Sequence, residues 1–178
     1  MAFVGPSGVG KDSVMEALVA ANPEFDLVRR VITRRAGEIG EDSVPVDETT
    51  FDDMVRQGDF LLHWRAHDLR YAIPARVQTD LAAGRTLLVN LSRSVLLQAQ
   101  TRVDQLIVFS LTAPPEILAD RLIRRGREDA DDIEQRLARA ARALPHGLRH
   151  VFEVSNAGAL SNTVAEILEL LHPESAVR

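Results

Sequence analysis

The chain has 178 residues, enough for one domain with a single buried core, and its 46% hydrophobic and 26% charged residues describe an ordinary globular protein. A net charge of −5 argues against a nucleic-acid partner, and the absence of cysteine excludes thiol catalysis, disulfides and cysteine-based zinc sites. No apolar run approaches the roughly 20 residues that cross a bilayer, so the sequence predicts a cytoplasmic protein without a membrane partner, either monomer or homodimer.

Apolar runs bounded by turn residues alternate with stretches of helical period, the pattern of βαβ units around a mostly parallel sheet. Ala2–Val4 is expected as the first strand. Only four residues precede the glycine-rich loop, so either that strand is short or the natural start lies upstream of Met1. The loop Gly5-Pro6-Ser7-Gly8-Val9-Gly10-Lys11 satisfies the G-x-x-x-x-G-K pattern, between a strand and a helix as the motif requires. Glycines let backbone N–H groups turn inward around phosphate oxygens, and the following helix aims its positive end at them. Lys11 adds a mobile point charge for the β- and γ-phosphates of a nucleotide. At position 12 Asp stands where Ser or Thr normally offers a hydroxyl to Mg²⁺, and Ser13 follows. Asp12 is therefore a candidate Mg²⁺ ligand, or else it only stabilises the helix N-terminus. The sequence leaves both readings open.

A helix is expected over 11–21, with Val14, Leu18 and Val19 on one face, and a second strand over 27–32. Residues 34–73 are polar with short alternating runs and read as an inserted subdomain. Within it Trp64 reads as packing, and His63 and His67 lie in a strand-like stretch where their spacing makes no metal site. The continuous apolar runs 86–91 and 105–111 are expected as buried parallel strands. Pro114-Pro115 opens a helix through Arg124, and further elements are a helix over 133–143, a strand over 151–154 and a closing helix over 160–171. His146 and His150 read as surface residues, and 172–178 as a frayed end.

Arg121, Arg124, Arg125, Arg127, Arg136, Arg139 and Arg142 recur mainly at three- or four-residue intervals, with Gly126 as a hinge. Phosphoryl transfer needs charge neutralised in a water-excluded site, which arginine forks supply. Residues 124–139 are therefore expected as a lid, with Lys11, Arg121, Arg125 and Arg136 as the groups that carry catalysis. Arg93, just past a buried strand, is a phosphate candidate because strand ends in such sheets face the ligand crevice.

The stretches GPSGVGKDS at 5–13, VITRR at 31–35, TTFDDMVRQGDFLLHW at 49–64, Tyr71 and RLIRRGRE at 121–128 resemble the guanylate kinase-like P-loop kinases over nearly the whole chain. That likeness implies a single three-layer α/β P-loop domain: core 1–32, 74–123 and 140–178, acceptor-binding insertion about 33–73, lid about 124–139. The departures from guanylate kinase fall where a base is read. Gly37 replaces its second arginine, its phosphate-contacting tyrosine falls near Val44, and His63 stands where its glutamate precedes the tryptophan. A site built to hydrogen-bond a base does not lose its acidic reader cheaply. GPSGxGKDS, ITR, W-x-A-H, the VNLSR run holding Asn90 and Arg93, and RLxxRGRE followed by RLARAAR look like the ribose 1,5-bisphosphate phosphokinases of phosphonate catabolism. In that family Asp after the loop lysine is usual, as is Tyr-Gly where this chain has Tyr71-Ala72.

The resemblance implies ATP and Mg²⁺ at Gly5–Ser13, with the γ-phosphoryl group moved onto the 1-phosphate of ribose 1,5-bisphosphate. It also implies that Arg34 and Tyr71 hold the acceptor's phosphates; Asn90 and Arg93, in a stretch that matches the family, are further acceptor candidates, and His63 is read as a candidate contact to a sugar phosphate. The alternatives are a guanylate or other nucleoside monophosphate kinase, and a guanylate kinase-like binding module that has lost catalysis.

Overall fold

A computed structural model describes residues 1–34, 42–66, 68–126, 133–134, 136–137 and 143–171. Successive side chains of a strand face opposite sides, and in β1 (Ala2–Val4) all three are fully buried: Ala2 and Val4 on one side, Phe3 on the other. A strand apolar on both faces needs cover on both faces, which a parallel sheet between helices provides. β1 is the middle strand of such a sheet. Its neighbours are β7 (Thr86–Asn90) and β8 (Ile107–Thr112), with β2 (Phe25–Leu27) and β9 (His150–Ser155) at the edges, and every pairing is parallel.

Behind Phe3 lie α1 (Lys11–Ala21), α5 (Pro115–Arg125) and α6 (Leu160–Leu171), which bury Val14, Leu18, Leu118 and Ile167 against Phe3, Phe109 and Leu111. On α1 the buried set is Val14, Met15 and Leu18, with Val19 only partly covered. On the opposite side, α3 (Arg76–Ala82) and α4 (Leu96–Arg102) pack Val77, Leu96 and Ala99 against Ala2, Val4, Leu87 and Val108. The result is the three-layer α/β arrangement expected of a P-loop fold.

A second sheet of four strands, ordered β4-β3-β6-β5, is built from β3 (Arg30–Thr33), β4 (Ser43–Val46), β5 (Phe60–Ala66) and β6 (Leu69–Pro74). β3 and β4 run parallel, while β6 runs antiparallel to both β3 and β5. One face is covered by α2 (Glu48–Gln57), whose Phe51 packs on Val31 and Ala72. Asp47 starts that helix by accepting from Thr50 N at 2.7 Å. The other face carries Ile32, Trp64, Tyr71 and Ile73 into the core shared with the parallel sheet.

The expected single strand over 27–32 is in fact two strands in two sheets. β2 pairs with β7, Val28 N still donates to Leu88 O at 2.9 Å, and from Arg30 the chain pairs instead with β4 and β6. Tyr71-Ala72 sits inside β6, with Ala72 fully buried between Val31 and His63 and its φ not positive, so this backbone has no need of glycine. Residues 172–178 and most of the expected lid, with Arg127, Arg139 and Arg142, lie outside the described residues, as do Gly37 and His67.

Candidate active site

The phosphate-binding loop leaves the carboxyl end of β1 and enters α1, at the crevice where an open parallel sheet offers its strand ends to a ligand. Two glycines are required by contact as well as by φ. A Cβ on Gly5 (φ 150°) would stand 2.6 Å from Leu111 O, and one on Gly10 (φ 88°) would stand 2.8 Å from Asn156 Nδ2. Gly10 is also the N-cap of α1 and offers no side-chain acceptor, which leaves the first-turn N–H groups to an anion. Lys11 Nζ donates to Gly5 O at 3.0 Å and Pro6 O at 3.1 Å. Ser7 Oγ accepts from Arg136 Nη1 at 2.8 Å and Val9 O from Arg121 Nη1 at 3.3 Å, so both arginines reach the loop.

Asn90, at the end of β7, donates through Nδ2 to Asp12 Oδ1 at 3.2 Å, bringing those two candidates together. Ser13 is exposed on α1. Among the described residues no three His, Cys, Asp or Glu side chains converge. A hard cation beside Asp12 would thus take one carboxylate and complete its shell with water and nucleotide phosphates, the habit of Mg²⁺.

Across the crevice stands the second sheet. Tyr71 is buried between Trp64, stacked on it at 5.5 Å and 14°, and Arg30, whose guanidinium lies over its ring at 5.2 Å. Trp64 Nε1 donates to Ser92 Oγ at 2.9 Å, which ties this stack to the segment carrying Arg93. Trp64 is thereby a packing residue, as read. His63 alternates to the other face of β5, exposed and paired with Ala72, away from Tyr71. Arg124 pairs with Asp120 and is a surface residue. His146 and His150 are exposed, as expected.

Burial pulls the Lys11 ammonium down from 10.5 to about 8; Asp12 opposes that shift, while Arg30, Arg93 and Arg125 add to it. With a folded value below the unfolded one, the folded state holds fewer protons between about 8 and 10.5, so this group makes stability rise with pH across that window. Lys11 is the only lysine in the chain. A carbon-13 spectrum of its side chain should therefore show one titrating signal with a midpoint near 8 in the free protein. Adding ATP and Mg²⁺ should move that midpoint upward, because phosphate favours the charged form. A midpoint unmoved by ATP would remove Lys11 from the phosphate site.

Two features of the candidate site escaped the sequence. Arg30, only 7% exposed, is one of the cations acting on Lys11, and its alternation with Ile32 along one face of β3 is the signal that could have found it. Asn156, just past β9, donates to Val9 O at 2.7 Å and accepts from Thr163 Oγ1 at 2.8 Å, bracing the loop from behind. No local pattern marks it.

The family model described as AAA domain matches residues 2–142. A ribose 1,5-bisphosphate phosphokinase PhnN of Ruegeria sp. (strain TM1040) is 52% identical over 99% of this chain and 93% of its own length. A second, from Pantoea vagans (strain C9-1), is 44% identical over 95% and 94% of the two chains. Among solved structures, guanylate kinase from Anaplasma phagocytophilum superimposes with a TM-score of 0.65 at 17% identity, covering 97% of this chain and 84% of that one, a likeness of fold. With an AAA domain over most of its length and relatives that align with it from end to end, the chain belongs to the PhnN family of ribose 1,5-bisphosphate phosphokinases.

Proposed function

We propose that this protein transfers the γ-phosphoryl group of ATP, with Mg²⁺, to the 1-phosphate of ribose 1,5-bisphosphate, giving ADP and 5-phosphoribosyl 1-diphosphate in the phosphonate catabolism of the cytoplasm. The observation that carries this reading is the cationic group Arg30, Arg93 and Arg125 around Lys11, opposed by the carboxylate of Asp12. A nucleoside monophosphate brings one phosphate to such a site and a sugar bisphosphate brings two, and the second matches this excess of positive charge better.

The residues divide the work. Lys11 and the amides of Gly5–Lys11 hold the nucleotide phosphates, Asp12 oriented by Asn90 holds the metal, and Arg121, Arg125 and Arg136 neutralise charge at the transferring group. Arg34, Tyr71 and Arg93 hold the acceptor, so residues 33–73 serve acceptor binding and 124–139 the lid. ATP supplies the phosphoryl group when bound. One P–O bond forms from an oxygen of the acceptor's 1-phosphate while the bond to the leaving ADP oxygen breaks. That acceptor oxygen is already anionic near neutral pH, so the chain needs no general base, and its contribution is positioning and charge neutralisation. His63 faces away from Tyr71 and takes no part in this account.

A coupled assay for 5-phosphoribosyl 1-diphosphate tests the proposal. Ribose 1,5-bisphosphate should be preferred over GMP by roughly 100-fold or more in kcat/KM, since no acidic reader is present for the base. Equal turnover of GMP would overturn the choice of acceptor. A folded sample without magnesium-dependent ATP affinity would leave a binding module instead of a kinase.

A further inference from the structure

The two sheets meet in a shared apolar core, where Tyr71 and Ile73 of the second sheet pack with Leu87 and Leu91, in and just past β7. Contact of this kind has no preferred direction. The seam is also incompletely filled: an apolar cavity of about 40 Å³ is lined by Leu62 and Ile73 from one sheet and Leu87 and Val89 from the other. Close packing holds elements in register and a void loosens that hold, so apolar contact alone leaves the second sheet room to shift against the first. Across this seam Trp64 Nε1 donates to Ser92 Oγ at 2.9 Å. A hydrogen bond weakens steeply with misalignment, so it fixes what the apolar contacts do not.

Each end of that bond is anchored beside a group assigned to the acceptor. Leu91 N donates to Phe3 O at 3.0 Å and Val95 N to Ser92 O at 3.1 Å, which pins the Ser92 backbone to the parallel sheet, next to Arg93. Trp64 lies ring to ring with Tyr71, at 5.5 Å and 14°. Packing on Tyr71 asks for a ring and not for an N–H, and phenylalanine would supply it. We propose that Trp64 and Ser92 are positioning residues for the acceptor: their hydrogen bond sets how far Tyr71, on the second sheet, stands from Arg93, at the strand end of the parallel one. A sugar phosphate held from both sheets needs that span to match its own length, since a misplacement of about 1 Å in a site costs on the order of 100-fold in rate. The inference rests on the kinase reading above and adds to it what fixes the width of the acceptor site.

Trp64 is the only tryptophan in the chain, so its indole N–H gives a single nitrogen-15 cross-peak. In wild-type protein loaded with a non-hydrolysable ATP analogue and Mg²⁺, that peak should move when ribose 1,5-bisphosphate is added. Ser92→Ala should displace it before any ligand is present. Calorimetric titration of the same samples gives affinities without turnover. Ser92→Ala should weaken ribose 1,5-bisphosphate by about 3- to 10-fold, the range for one hydrogen bond, and leave the ATP analogue within about 2-fold. Trp64→Phe keeps the ring and should reproduce the loss. The double variant should be weaker than either single by no more than about 2-fold, because each change removes the same bond. Ser92→Ala deletes one oxygen atom, so the test stands even where Trp64→Phe does not fold. An indole peak unmoved by the bisphosphate, equal weakening of both ligands, unchanged bisphosphate affinity in Ser92→Ala, or losses that multiply in the double variant would each reduce the bond to a structural contact. Bisphosphate binding without turnover would leave this inference standing and remove the assigned reaction; failure of the wild type to bind the bisphosphate would remove both.

Discussion

Lys11→Met should lower kcat by roughly 10²- to 10³-fold while leaving the protein at least as stable as the wild type. The first half follows from the loss of a positioned charge where negative charge gathers in a dry site. A larger loss is not expected, because the loop amides, Arg121 and Arg136 remain and such groups act together. The second half follows from burial, which already costs the ammonium enough to pull it down to about 8. Its two hydrogen bonds to Gly5 O and Pro6 O return part of that cost, and a methionine of similar length removes the charge without leaving a cavity. The two measurements are a single-turnover rate and a thermal melt. Activity within about 10-fold of wild type would take Lys11 out of the chemistry, and a large drop in melting temperature would show instead that the residue is a structural strut.

The loop was legible because its requirement is local. Positive φ at Gly8 and Gly10 and the approach of Gly5 to Leu111 O leave glycine as the residue that fits, so the pattern survives in the sequence whatever the rest of the chain does. The strands 86–90 and 107–112 were legible for a similar reason, since burial on both faces leaves continuous apolar runs. The break between β2 and β3 is set by partners: Leu87 and Leu88 claim Asp26 and Leu27, while Val44 and Ala72 claim Val31, and nothing within 25–33 announces the change. Arg30 was passed over because an arginine among apolar neighbours reads by default as a surface strand position. Its burial becomes visible only when Tyr71, some forty residues later, lies beneath it. Asn156 is further still from what it serves, 147 residues from Val9.

That distant brace carries the other large effect. Gly10→Ala should destabilise the protein by about 2–5 kcal/mol, from about 1–2 kcal/mol for a side chain in the left-handed region and about 1–3 kcal/mol for what the new Cβ displaces. The displaced group is the amide of Asn156, 4% exposed, which holds Val9 O through Nδ2, takes a hydrogen bond from Thr163 on Oδ1 and is pinned by its own backbone N–H on Thr112 O at 2.8 Å. Because three anchors fix it, the amide does not swing aside freely, and the clash at 2.8 Å is relieved only by breaking one of them. Asn156→Ala alone should cost about 1–3 kcal/mol by leaving Val9 O without its short donor, and it should also raise the KM for ATP, since Val9 belongs to the loop proposed to hold the phosphates. It opens the space that the Gly10 methyl needs. The double variant, measured by chemical denaturation, should therefore be more stable than the sum of the singles predicts, by about 1 kcal/mol or more. Additivity within about 0.5 kcal/mol would place the whole cost of Gly10→Ala in its backbone angle and leave the amide and the loop energetically independent.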